Sequence, residues 1–129
     1  MASIPEEFHD LFEKRTFAHV ATLTDDHDPH VTPVWIDYDV DDDRLLFNTE
    51  RDRRKLRNIE SNASVGLSMI DPDDPYRYLS VIGTVDETTT EHAREHIDEL
   101  SRRYLDDDYP HPIESERVIV RIRPDEVIV

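Results

Sequence analysis

The chain has 129 residues, with 31 Asp or Glu against 15 Lys or Arg and a formal net charge of -16. This length predicts a single domain, residues 1–129, and so negative a surface disfavours nucleic acid and anionic membranes as partners. The sequence has no cysteine, which excludes disulfides and thiolate chemistry. No apolar run approaches the roughly 20 residues that cross a membrane.

The charged residues are distributed in an unusual way. The acids are spread along the whole chain between apolar segments, and the bases are thirteen Arg and only two Lys, Lys14 and Lys55. Self-repulsion of this size is damped in molar salt, where the screening length falls to about 3 Å. The composition therefore predicts a halophilic protein. The N-terminus lacks the features of a signal peptide, so we expect a cytoplasmic location.

The first half of the chain is predicted to form a short helix and three strands. Ser3 and Glu6 have the spacing of a capping box, which predicts a helix ending near Arg15. Three β-rich segments separated by polar turns predict a meander over residues 17–24, 31–40 and 45–49. Pro33 favours an edge or a bulge in the second of these strands.

The second half alternates helices with strands. Caps at Thr49 and Thr88 predict helices over residues 51–61 and from about residue 92 to 104. Three further strands are predicted at residues 63–70, 78–85 and 118–122. This order predicts a mainly β fold, a six-stranded antiparallel barrel with short peripheral helices, and argues against a doubly wound parallel sheet.

Basic residues are concentrated in residues 51–57, which hold five of the fifteen in the chain. They lie where free amides and the helix dipole already favour an anion. Arg53 and Arg57 share a face, so forked arginine bonds together with Lys55 could hold a phosphate. The alternative is a solvated helix whose arginines pair with neighbouring acids.

Two other motifs are candidate sites. The segment with the only tryptophan, Trp35, lies beside a strand ending at Thr49, and a flat ring could rest there, although Trp35 could equally belong to the core or a dimer interface. His92 and His96 match H-x-x-E-H, a zinc-hydrolase pattern that would place both histidines on one helix face. So small a chain offers no evident third ligand or cleft, and we do not predict zinc.

Six segments occur in the order and spacing of one known family: FAHVATLT, PHVTPVWIDYD, LLFNT, KLRNI, ASVGLSMIDPDDPYRYLSVIGTV and VIVRIRPDEV. Together they resemble the pyridoxamine 5'-phosphate oxidase-like FMN-binding split-barrel family. The sequence is most similar to the short branch of deazaflavin (coenzyme F-420) dependent oxidoreductases. The resemblance covers about residues 17–127.

The resemblance implies a six-stranded split barrel, paired as a homodimer with a cofactor, F-420 or FMN, in each groove between subunits. Residues along the ring and its side chain would be Thr32, Pro33, Val34, Trp35, Phe47, Asn48 and Thr49. Residues matching the phosphate-binding stretch are Arg53, Lys55, Arg57 and Asn58. Tyr76 and Tyr78 would approach the groove from the partner subunit.

The resemblance also implies an activity. The expected reaction is hydride transfer between the bound cofactor, F-420 in preference to FMN, and a small organic substrate. Asp26 and His27 replace the family's usual Asp-Gly turn, a change that we expect to leave the site intact. The longer C-terminal part with which true pyridoxamine phosphate oxidases hold their substrate is missing, so vitamin B6 oxidation is not expected. No residue is identified as a proton donor. The alternative is a non-catalytic protein that binds or carries a flavin, haem or tetrapyrrole.

Overall fold

The computed structural model describes residues 2–129 and contains a 3-10 helix, two α-helices and seven strands. In chain order these are the 3-10 helix Glu6–Phe12, β1 Phe17–Leu23, β2 Pro29–Trp35, β3 Asp37–Asp39, β4 Arg44–Glu50, α1 Arg54–Ser61, β5 Ser64–Asp71, β6 Asp74–Thr89, α2 Ala93–Leu105 and β7 Arg117–Ile128. The mainly β, antiparallel prediction is confirmed. No helix among residues 2–129 has the length and apolar character to span a membrane.

All seven strands form one antiparallel sheet in the order β2-β1-β5-β6-β7-β4-β3. The sheet curls until β2 and β4 contact each other, which produces a half-barrel. The prediction of six strands is corrected to seven, because the segment predicted as one strand over residues 31–40 is interrupted at Ile36. The amide of the fully buried Ile36 donates to the hydroxyl of Tyr104, 3.1 Å away, instead of to a neighbouring strand.

The predicted meander is wrong for the same reason. β2 pairs with β1, whereas β3 pairs with β4, at the other end of the sheet. The predicted caps are also wrong, because Thr49 and Thr88 lie in strands and pair with Val118 and Val120 of β7. Ser3 makes no cap either, since Pro5 precedes a 3-10 helix that begins without a side-chain cap.

The core fills the concave side of the sheet. Alternate residues of β1, β5 and β6 are buried there, together with Leu11 and Phe12 of the 3-10 helix and Leu56 of α1. A second apolar cluster forms outside the barrel, where Leu100 and Tyr104 of α2 pack with other aromatic side chains. The same helix, α2, also lies against β4 and β7.

The convex side of β1, β5 and β6 carries no Asp, Glu, Lys or Arg over twelve alternating positions. These are Phe17, His19, Ala21, Leu23, Ser64, Gly66, Ser68, Ile70, Tyr78, Ser80, Ile82 and Thr84. We call this surface the uncharged face. Phe17, Ile70 and Ile82 are each about half exposed, at 51%, 54% and 49%. In a chain in which charged residues make up 36%, such a surface is an exception.

The 3-10 helix is fixed to the β5–β6 hairpin by charge. The buried carboxylate of Asp71 accepts from Lys14 at 2.9 Å and from Arg77 at 2.7 Å, and Arg77 also bonds Asp10 at 2.7 Å. The hydrogen bond from the Asp73 amide, followed by those from Lys14 and Arg77, lowers the pKa of Asp71 to about 2. The hairpin and the helix thus share one ionic cluster.

Among residues 2–129, four residues other than glycine have left-handed backbone conformations. They are His27, Asp43, His92 and Asp106, with φ between 55° and 64°. His and Asp tolerate this region better than most side chains do. His92 and Asp106 bound the two ends of α2, so both ends of that helix turn sharply.

Candidate functional site

A cavity of about 420 Å³ opens between the edge strand β2, the end of β4, the start of α1 and helix α2. The irregular segment 106–116, between α2 and β7, forms its remaining wall. The lining residues are Phe17, Thr32, Pro33, Val34, Trp35, Asn48, Thr49, Glu50, Arg53, Lys55, Ile97, Leu100, Tyr109, His111 and Arg117. Its volume is within the range of sites for small molecules and cofactors.

One end of the cavity is cationic. Lys55 is half-buried and forms no hydrogen bond or ion pair with any of residues 2–129. Its burial, together with the positive charges of Arg53 and Arg117, lowers the pKa of Lys55. Partial burial of a lysine beside two arginines is unfavourable without an anionic partner. This end of the cavity is therefore suited to bind an anion.

Arg117 is the rigid member of this end. Its side chain is buried, its Nε donates to Asn48 Oδ1 at 2.8 Å, and its Nη1 lies 3.5 Å from Glu50 Oε1. The guanidinium also lies over the ring of Tyr109, with Cζ 5.1 Å from the ring centroid. Glu50 offsets one of the three positive charges, which leaves a net positive end.

The other end of the cavity is aromatic and apolar. Trp35 is stacked against Tyr104, and Tyr109 meets Trp35 edge-on with 6.2 Å between ring centroids. His111 contacts Tyr109 in the same way at 5.4 Å. Ile97 and other apolar side chains complete this wall. A flat ring system is the natural occupant of such a surface.

Between the two ends lies the open edge of β2. Because β2 pairs only with β1, alternate N–H and C=O groups on its outer edge have no strand partner. The Oγ1 of Thr32 is buried and likewise lacks a hydrogen-bond partner among residues 2–129. These groups could satisfy the polar edge of a bound ring, since buried polar atoms are seldom left unpaired.

The structure brings eight of the thirteen predicted site residues into the cavity. They are Thr32, Pro33, Val34, Trp35, Asn48, Thr49, Arg53 and Lys55. The other five lie outside its lining. Phe47 is fully buried in the core, Asn58 is buried and donates to Thr22 Oγ1 at 3.0 Å, and Arg57 bonds the backbone oxygen of Asp52 at 2.6 Å. Tyr76 and Tyr78 are exposed.

Seven lining residues were not predicted from the sequence: Phe17, Glu50, Ile97, Leu100, Tyr109, His111 and Arg117. Arg117 and Glu50 are direct partners in the β4–β7 register, so correct strand pairing would have brought them together. Tyr109 and His111 lie in an irregular segment that has no periodic signal.

The H-x-x-E-H pattern does not place two histidines on one helix face. His92 precedes α2 in a left-handed conformation and its side chain is 77% exposed, whereas the His96 side chain is only 9% exposed. Within residues 2–129, no cluster of three or more potential ligands suits a metal ion. The zinc-hydrolase hypothesis therefore has no geometric support.

The curled antiparallel sheet with a cavity at the edge of β2 defines a split-barrel protein. A family model described as pyridoxamine 5'-phosphate oxidase matches residues 4–129, and the chain belongs to that family. No curated protein matches the sequence significantly.

Solved structures agree with this assignment. An F420 reductase is 35% identical, with a TM-score of 0.84, and the match covers 97% of this chain and 98% of that one. HupZ of Group A Streptococcus is 21% identical, with a TM-score of 0.70 over 96% of this chain and 91% of its own. General Stress Protein 26 of Bacillus anthracis is 18% identical, with a TM-score of 0.70 over 95% and 89%. The last two similarities concern the fold alone.

Proposed function

We propose that the protein is an oxidoreductase that binds a flavin-type cofactor, F-420 or FMN, in the cavity at the edge of β2. The observation that carries the proposal is the half-buried Lys55, which has no partner among residues 2–129 and lies beside Arg53 and Arg117. A phosphate group on the cofactor would complete this cationic end.

The rest of the cavity fits the other parts of such a cofactor. Trp35 and Tyr109 would bound the ring system, and Thr32 Oγ1 with the free edge of β2 would bond its polar edge. When bound, the cofactor supplies hydride transfer to or from a small unsaturated or carbonyl-bearing substrate. The protein orients the ring, keeps water from its covered side and holds the phosphate.

The choice between cofactors favours F-420. The support is the similarity to an F420 reductase at 35% identity over nearly the whole of both chains. FMN has the same kind of flat ring and a phosphate-bearing side chain, so the cationic end suits both.

We also propose that two copies pair through the uncharged face. A chain with net charge -16 can approach a copy of itself most closely where neither surface is charged. Large exposed apolar patches are uncommon in monomers. Phe17 belongs to both this face and the cavity lining, so a second copy on the face would lie at the mouth of the cavity. Tyr78, on the same face, and the neighbouring Tyr76 would then approach that mouth from the partner.

The proposed function is tested by fluorescence titration of the purified protein in molar KCl with F-420 and, separately, with FMN. Saturable binding of one cofactor, followed by its oxidation when candidate acceptors are added to the reduced form, is the expected result. Binding without turnover would favour the non-catalytic carrier instead. Failure of both cofactors to bind would refute the cofactor site.

A further inference from the structure

A buried histidine behind the cavity connects helix α2 to the cationic end. His96 is 8% exposed and does not line the cavity. Its Nδ1 lies 3.2 Å from Asn48 Nδ2, and its Nε2 lies 3.1 Å from Asp37 Oδ2. Asn48 does line the cavity, and its Oδ1 accepts the Nε–H of Arg117 at 2.8 Å. The four side chains thus form a continuous chain from Asp37 to Arg117.

Only one assignment of donors and acceptors satisfies every member of this chain. Arg117 Nε can only donate, so Asn48 must present its oxygen to Arg117 and its amide nitrogen to α2. That nitrogen donates to the backbone oxygen of Ala93, 2.8 Å away, and to His96 Nδ1. His96 Nδ1 must therefore be an acceptor, and Nε2 carries the proton that is donated to Asp37.

We propose that His96 is a positioning residue for the cofactor site: as a neutral imidazole protonated at Nε2, it locks the Asn48 amide so that Arg117 is held at the cationic end. The inference rests on the proposed function for its role in binding, but the network itself belongs to the chain without a ligand. Through Arg117 the same network orients Tyr109, whose ring lies beneath the guanidinium.

Two substitutions separate positioning from simple packing. His96→Leu removes both ring nitrogens and places an apolar side chain at this position of α2, so the Asn48 amide loses its contact with His96 Nδ1. His96→Gln supplies an oxygen for Asn48 and an N–H for Asp37, so it can reproduce both bonds. We expect weakened binding of F-420 or FMN, on the order of tenfold, in the Leu variant and recovery in the Gln variant.

The network is tested without any cofactor by NMR. Long-range proton–nitrogen spectra should show His96 protonated at Nε2 near neutral pH, with an Arg117 Nε–H that exchanges slowly with water. That exchange should become fast in His96→Leu and stay slow in His96→Gln. A proton on Nδ1, or slow Arg117 exchange in the Leu variant, would overturn the proposal. If His96→Leu does not fold, the ring tautomer of His96 in the unaltered protein tests the proposal: a proton at Nε2 supports it and a proton at Nδ1 overturns it.

These spectra also distinguish this proposal from the proposed function. Failure of F-420 and FMN to bind the unaltered protein would refute the cofactor site while the spectra still decide the His96 network. Normal cofactor affinity in a folded His96→Leu variant would refute the positioning role while leaving the cofactor site intact.

Discussion

The indole of Trp35 lies almost parallel to the ring of Tyr104, with 5.1 Å between ring centroids and 13° between ring planes. Tyr104 is itself fixed, because its buried hydroxyl accepts the Ile36 amide and donates to the backbone oxygen of Thr16. Tyr104, whose hydroxyl takes the Ile36 amide where β2 ends, therefore also sets the plane of the aromatic wall of the cavity.

Removing that hydroxyl should cost stability while leaving the stacked ring in place. In Tyr104→Phe, the buried Ile36 N–H and Thr16 C=O each lose a partner, so we expect the free energy of unfolding to fall by about 1–3 kcal/mol. Urea denaturation in KCl measures the change. Tyr76→Phe, at a side chain that is 91% exposed, is the matched control and should be neutral. Equal stability of the two variants would show that the hydroxyl contributes nothing.

Lys55 should strengthen cofactor binding and lower the stability of the free protein. In Lys55→Met the affinity for the bound cofactor should fall about tenfold or more, since hydrogen bonds to charged groups contribute ~1.5–3 kcal/mol. Tm of the free protein should rise, because a partly buried charge without a partner is removed. Arg54→Gln removes one positive charge from an exposed position of the same helix and should change neither quantity. Unchanged cofactor affinity in Lys55→Met would show that Lys55 does not contribute to the cofactor site.

The same lysine predicts a pH dependence. Its pKa is lowered by burial and by neighbouring arginines, so its charge is lost at a lower pH than for an ordinary lysine. An anionic ligand binds the protonated form, and affinity should therefore decline as the pH rises through that lowered pKa. A titration across alkaline pH should show this decline in the unaltered protein and lose it in Lys55→Met.

Introducing one charged residue into the uncharged face should prevent formation of the dimer. Ile82, in β6, is 49% exposed on that face, so Ile82→Glu would bury a carboxylate in each subunit without a partner. We expect sedimentation velocity to show a dimer for the unaltered protein and a monomer for the variant. Val40→Glu places the same charge at a 60% exposed apolar residue elsewhere and should leave the dimer intact. A monomeric unaltered protein would contradict the proposed dimer.

The ionic cluster of Asp71 should govern resistance to acid. The pKa of Asp71 is depressed to about 2, so the carboxylate stabilises the fold above its unfolded pKa of about 4 and this contribution is lost as pH falls toward 2. Asp71→Asn should lower Tm at neutral pH and flatten its decline between pH 4 and 2. Asp25→Asn, in an exposed turn, is the control. Parallel Tm profiles for Asp71→Asn and the unaltered protein would contradict the prediction.

The sequence predicted those parts of the site that lie on regular elements. Thr32 and Trp35 on β2 and Lys55 near the start of α1 could be placed because strand patterns and charge clustering are local signals. The cap at Thr49 was wrong, because pairing of Thr49 with Val118 satisfies the backbone in a strand instead. Tyr109 was missed, since its position depends on distant contacts: its amide bonds Asp98, and its ring meets Trp35. Such tertiary contacts leave no periodic trace.

The four left-handed residues affect the conformational entropy of the unfolded chain as well as the backbone strain of the folded one. Glycine would adopt those backbone angles with less strain, but it would also enlarge the set of conformations open to the unfolded chain. With Asp or His at all four positions and only two glycines in the sequence, the unfolded ensemble stays comparatively restricted. This restriction of the unfolded chain thus offsets part of the backbone strain at the four positions.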